Sequence, residues 1–282
     1  MALRIILGLT IREARRRKVL WGMAILSVLF IGLYALGLAF VHDNLVRYRG
    51  LPSGAGRGFT LDDAYNFWLT AALYGANFLV VMMAVLTSVD TLAGEINTGT
   101  IQSIAVKPLR RYEILLGKWL GFAVMLGGYV LLLIGGLMGV TVLIADYALR
   151  EPLLPIGMMF LEAMVLLSVS MLGGTRLSTL ATGVLGFGMF GLAFIGGWIE
   201  QIGNFPFVRS EAAATIGRLA SFIMPSEAVW RYTFSEMVTG FNPFSLMFDL
   251  TSAPDSRAVS YAVGFIVFML ALALVSFQRR DL

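Results

Sequence analysis

Six stretches of 21 to 27 residues carry almost no charge, and they leave this chain little choice of fold. Five are uninterrupted: 19–41, 64–89, 119–145, 177–199 and 258–278. The sixth, 152–175, is broken only by Glu162. A helix needs about 20 apolar residues to cross roughly 30 Å of hydrocarbon. A helix also satisfies its backbone groups internally, which lipid demands. The expectation is an all-α polytopic membrane protein with six transmembrane helices. A soluble domain is excluded by the length of the runs and by a composition that is 58% hydrophobic and only 13% charged.

Six spans put both termini on one side. Of the 21 Lys and Arg residues, 13 flank the ends that share a side with the termini, and all three lysines are among them. The positive-inside rule therefore makes the N- and C-termini cytoplasmic. The first apolar run exceeds the core of a signal peptide and is expected to be retained. The chain contains no cysteine, so it has neither a disulfide framework nor a thiolate site. Its net charge of +4 lies at span ends, which suits anionic lipid headgroups and not nucleic acid.

Before the first span, residues 1–18 place Leu3, Ile6, Leu7, Ile11 and Ala14 at helical spacing, with Arg4, Arg12, Glu13 and Arg15–Arg17 mostly between them. This is the pattern of an amphipathic helix on the membrane surface. On the far side, 42–63 is a turn-rich loop. The largest piece outside the spans, 200–257, offers short helices at 211–222 and 226–238, broken by Pro206, Pro225 and Pro243. Their apolar faces suggest helices that dip into the interface or cap the bundle. Spans three and five are dense in glycine, and Gly135 with Gly139 forms a small-xxx-small pair suited to close helix approach. The whole of 1–282 is expected to be one transmembrane domain.

Little in the chain suggests catalysis. His42 is the single histidine and lies at a span end, with no partner set for a zinc site or a Ser–His pair. Gly117-Lys118 lacks the earlier glycine and the following Ser/Thr of a phosphate-binding loop, since Tyr112 and Trp119 hold those positions. Glu162 is the one acid well inside a span. Such a group costs about 2.5–3.5 kcal/mol to insert, so it should face the protein interior or a water path. It is a candidate contact for a substrate or a proton, or else a buried acid bonded to a nearby Ser or Thr.

The connector between spans two and three, 91–113, is the most designed polar segment. Gly94 and Gly99 loosen the backbone around Glu95, Thr98 or Thr100 can cap a short helix, and Ile101, Ile104 and Ala105 share one face. Pro108 disfavours helix at Lys107, and a new helix restarts near Leu109. The result is a short helix clamped between two spans.

At these residues the chain resembles the permease subunits of ABC-2 type transporters. The shared features are Glu95, Gly99-Thr100, Pro108, Arg111 and Gly117-Lys118, the Pro225-Ser226 step and the ending Phe277-x-Arg279-Arg280-Asp281. The connector is closest to the branch that includes permeases for copper-enzyme maturation and for sodium or drug export. Arg110 stands where that branch often has Ser. The resemblance implies that 95–107 is a coupling helix docking on a separate cytoplasmic ABC ATPase. It further implies that ATP and Mg are bound by that partner, with no cofactor or metal in this chain, and that two permease copies pair with two ATPases. It also implies a non-enzymatic export subunit of a bacterial or archaeal inner membrane. The competing expectation is an ion- or proton-coupled secondary transporter using Glu162, which would normally show inverted repeats and more intramembrane charge.

Overall fold

A computed structural model describes residues 2–15, 18–48, 60–97, 111–204, 210–238 and 254–279. Among these, every regular element is helical. In chain order they are α1 (Ala2–Arg15), α2 (Lys18–Tyr48), α3 (Leu61–Asn97), α4 (Arg111–Ala145), α5 (Leu153–Gly174), α6 (Thr179–Asn204), α7 (Glu211–Ile223), α8 (Ser226–Met237) and α9 (Arg257–Gln278). Six of them (α2 to α6 and α9) are long and apolar enough to cross a membrane, as the six apolar runs required.

The spans differ in how they are used. In α3 and α5, 67% and 61% of the apolar window is buried; in α2 the figure is 17%. Thus α3 and α5 form the centre, and α2, α4, α6 and α9 surround them. The outer helices present Leu29, Leu33, Leu36, Phe40, Leu180, Val184 and Val267 outward, as a lipid-facing surface should. Inside, single hydroxyls tie spans together: Tyr34 Oη lies 2.7 Å from Thr141 Oγ1, Ser27 Oγ donates to Tyr129 Oη at 2.7 Å, and Trp119 Nε1 donates to Ser168 Oγ at 3.1 Å. Bonds of this kind are each worth about 0.6 kcal/mol in lipid, so they set register more than they hold the bundle together.

Local chemistry sets the boundaries. Thr60 and Asp63 cap α3 reciprocally, Thr60 N–H donating to Asp63 Oδ2 at 2.8 Å and Asp63 N–H to Thr60 Oγ1 at 3.2 Å. Ser210 Oγ accepts from Ala213 N–H to start α7. Asp146, with φ of 51°, ends α4 in the left-handed conformation that Asp tolerates better than most residues. The helix of span two does not stop at Asp90, just past the end of its apolar run 64–89. It runs seven residues further to Asn97, because a helix need not end where its apolar face ends.

Two sequence expectations change in three dimensions. The stripe on α1 is real, with Ile6, Thr10 and Ala14 buried, but it faces protein: α1 packs across α4, where Gly121 has only room for Thr10. And Gly135 with Gly139 does not make a close approach within this chain, for no described atom lies within 4 Å of where their Cβ atoms would be. Close approach occurs instead at Gly121 and Gly136 of α4, and above all along α6.

The segment after α6 turns back into the bundle. A Cβ at Gly203 would lie 2.6 Å from Ala213 Cβ; one at Gly217 would overlap Glu200, and one at Gly196 would overlap Ala220. As α7 advances from 213 to 220, its partners on α6 recede from 203 to 196. The helices are therefore antiparallel, and α7 descends about 10 Å along α6 toward the middle of the spans. The chain reverses at Met224-Pro225, and α8 climbs back until Asn66 Nδ2, near the start of α3, donates to Met237 O at 2.9 Å. Leu219, Phe222 and Ile223 of α7 face outward, whereas Val229, Trp230 and Phe234 of α8 are buried. The 211–222 and 226–238 helices expected from the prolines thus form a re-entrant hairpin at the end of the bundle opposite the termini.

Candidate functional site

Two regions carry the sequence candidates. At the terminal end, Glu95 lies in the last turn of α3, Arg111 opens α4, and Gly117 and Lys118 lie two turns further on. Lys118 is buried, beside Ile114 and Leu115. Gly99, Thr100, Ile101, Ile104 and Pro108 lie outside the described residues. The part that is described places both exits of the connector on central or packed helices, and α1 lies against the start of α4.

The second region is built around Glu162. It stands nine residues into α5, about 14 Å along the helix from its first residue, and is completely buried. Its partner is an amide of the neighbouring span, not the Ser or Thr expected: Asn77 Nδ2 donates to Glu162 Oε1 at 3.3 Å. Glu162 Oε2 and Asn77 Oδ1 have no hydrogen-bond partner.

The hairpin brings further charge to this level. Glu227, in the first turn of α8, is buried against Gly197 of α6; a Cβ there would lie 2.9 Å from Glu227 Oε1, so glycine is what admits the carboxyl. Helix α8, which carries Glu227, packs against α5, which carries Glu162. One turn on, Arg231 Nη2 donates to Glu200 Oε2 of α6 at 2.8 Å and to Ser221 Oγ of α7 at 3.3 Å, so three helices meet on one guanidinium. Both partners of the ion pair are about nine-tenths buried. Around it, Tyr74 and Phe78 of α3, Phe190, Phe194 and Trp198 of α6 and Trp230 of α8 form a continuous aromatic wall, with ring centroids 5.3–6.5 Å apart. Trp198 Nε1 donates to Tyr74 Oη at 3.2 Å.

Burial pushes the Glu227 carboxyl up from an ordinary value of 4.5 to about 8; Arg231 pulls it down and Glu200 pushes it further up. The folded value exceeds the unfolded one, so this group's contribution to stability is fully present below pH 4.5 and is lost as pH rises through 8. In thermal unfolding of the detergent-solubilised chain between pH 5 and 8.5, the wild type should lose stability with rising pH more steeply than Glu227→Gln. Parallel pH slopes would contradict this.

Glu200, Glu227, Arg231 and Asn77 were not among the residues singled out from sequence. The i, i+4 spacing of Glu227 and Arg231, on a helix whose other residues Val229, Trp230 and Phe234 are apolar, was the available signal. The cluster can hold a proton or bind a cationic group; among the described residues no set of three His, Cys, Asp or Glu side chains could hold a metal ion. His42 Nδ1 is 2.8 Å from Tyr65 Oη, a structural contact at a span end.

No curated protein matches the chain. A family model described as ABC-2 family transporter protein matches residues 4–282, nearly the whole sequence, connector included. The chain therefore belongs to the ABC-2 transporter family, as a multi-pass membrane subunit of an ABC transporter that works with ABC ATPase subunits.

Proposed function

We propose that this chain is the export permease of such a transporter, paired with a second permease copy and two cytoplasmic ATPases, in a bacterial or archaeal inner membrane. The observation that carries the reading is the family match across residues 4–282, which includes the connector motif from Glu95 to Lys118. In this reading the termini and connector face the cytoplasm, as the basic residues require. The 95–107 segment takes the ATPase's closing motion. It passes that motion to α3, which is central, and to α4, on which α1 is packed. ATP and Mg belong to the ATPase partner, and the hairpin end of the bundle opens outward.

Co-purification tests it. An ATP-binding-cassette ATPase of the same genome should be recovered with the wild-type chain, and less of it with Glu95→Ala or Gly99→Pro, with coupled ATP hydrolysis falling in parallel. Equal recovery and equal activity in all three would exclude a coupling role for the connector.

A further inference from the structure

We propose that Glu162 is a proton-binding site of the transport cycle: it holds its proton while the α7–α8 hairpin covers it and exchanges it with water at the hairpin's end of the bundle when the tip moves away. The geometry around the carboxyl is that of an acid and not of a carboxylate. An ionised Glu162 would be fully buried with one long N–H donor for its two oxygens, and a buried charge so poorly paired is strongly disfavoured. A protonated Glu162 removes the difficulty. Turning the Asn77 amide over presents Oδ1, now unpartnered, to accept from the carboxyl O–H, and the amide's nitrogen and oxygen are interchangeable in such an assignment.

The surrounding groups support a proton over any other positive species. From α3 comes only the Asn77 amide, with Tyr74 on the next turn hydrogen-bonded to Trp198. From α8 comes Glu227, a second acid that becomes a like charge only when it ionises, and Arg231, which is turned to Glu200 of α6 and Ser221 of α7. The spanning parts of α4 (119–145) and α9 (258–278) contain no Asp, Glu, Lys, Arg or His. Among the described residues, no basic side chain is hydrogen-bonded or ion-paired to Glu162. One carboxyl and one amide offer too few oxygens for a desolvated alkali cation, which a proton does not require.

The hairpin supplies the gate. Its tip, Met224-Pro225-Ser226, is buried, and Ser226 Oγ, like Glu162 Oε2, lacks a partner. A seam of close glycine contacts and one ion pair join the hairpin to α6, and Asn66, Tyr74 and Tyr261 hold it to α3 and α9; in the proposed cycle the tip moves against these contacts and admits water to the carboxyl.

The test uses the full chain with its ATPase in lipid nanodiscs, labelled with the hydrophobic carbodiimide DCCD, which reacts with protonated carboxyls in apolar surroundings. Modified residues are located by mass spectrometry. Glu162 should be modified at neutral pH and lose its label as pH rises. Glu227→Gln should move that loss to lower pH by removing the like charge. Trapping with ATP and vanadate should move it to lower pH as well. The protonated-carboxyl stretch in infrared spectra of the wild type gives a second readout that requires no variant. Absence of both label and stretch at every pH would overturn the proton site, as would protection from labelling by sodium or potassium at constant pH. An unchanged pH dependence after trapping would overturn exchange through the hairpin. The resting-state measurements do not depend on the direction of transport, so they can fail while the export reading stands.

Discussion

Arg231→Ala is expected to destabilise the protein by about 3–5 kcal/mol, the penalty of removing one partner of a buried ion pair. The guanidinium, on the helix that also carries Glu227, is the positive charge that pairs with Glu200, and it joins α6, α7 and α8 through Glu200 Oε2 and Ser221 Oγ. Truncation leaves Glu200 buried beside Glu227 with no counter-charge, and each raises the free energy of the other in ionised form. The loss should therefore deepen as pH rises. Removing both charges is a different experiment. Arg231→Met with Glu200→Gln keeps the volume and deletes the unpaired charge, and it should recover most of the stability, because apolar replacement of a buried pair is often neutral. Unfolding in detergent of the wild type, both single variants and the double variant completes the cycle. If the double variant is as unstable as Arg231→Ala, the pair does not account for the effect, and packing of the arginine stem against Trp230 and its neighbours would have to.

The spans were legible because lipid imposes one crude rule, about 20 apolar residues per helix, and the chain obeys it six times. The hairpin helices were legible for a local reason: Pro225 and the flanking turns break the chain where the helices in fact break, at 223 and 226. What periodicity could not convey was which way the hairpin points. A helix such as Ser226–Met237, with Val229, Trp230 and Phe234 on it, reads the same lying on a membrane surface or sunk between spans. Its direction is decided by Gly196, Gly197, Gly203 and Gly217, whose absent side chains make room for Ala220, Glu227, Ala213 and Glu200. Gly196 and Gly197 were visible only as part of a crowd in span five, and Gly203 and Gly217 carried no signal of their own. Asn77 was hidden for a similar reason, since one amide in a long apolar run becomes significant only when a carboxyl 85 residues away is found beside it. For α1 the stripe was legible and its packing on α4 was not, because an apolar face does not distinguish lipid from a neighbouring helix. The connector motif was read from residue order alone, and its central residues lie outside the described part of the structure.

Gly217→Ala should be among the most damaging single-methyl changes at the described glycines. A Cβ at 217 would overlap Glu200 Cβ and lie 2.7 Å from the Gly196 carbonyl oxygen and 3.0 Å from Glu200 Cα. Two of those are backbone atoms, so no rotamer change relieves the clash and α7 must move off α6. Overpacking of this kind costs about 1–3 kcal/mol. Alanine is otherwise the better helix former by about 0.8–1 kcal/mol, so a fall in stability would have to come from the contact. Gly264→Ala in α9 is the control: nothing lies within 4 Å of its Cβ position, and the same propensity gain should leave it neutral or slightly stabilised. The displacement at 217 also acts on the cluster. Glu200 shares this seam and holds Arg231, and the Glu227 carboxyl lies one helical turn deeper along α6, on Gly197. A hairpin pushed outward should therefore loosen the cover over Glu162. The measurable signature is lowered thermal stability together with loss of DCCD labelling at lower pH than in the wild type. Equal melting temperatures for Gly217→Ala and Gly264→Ala would show that the two helices do not meet at 217 as closely as described.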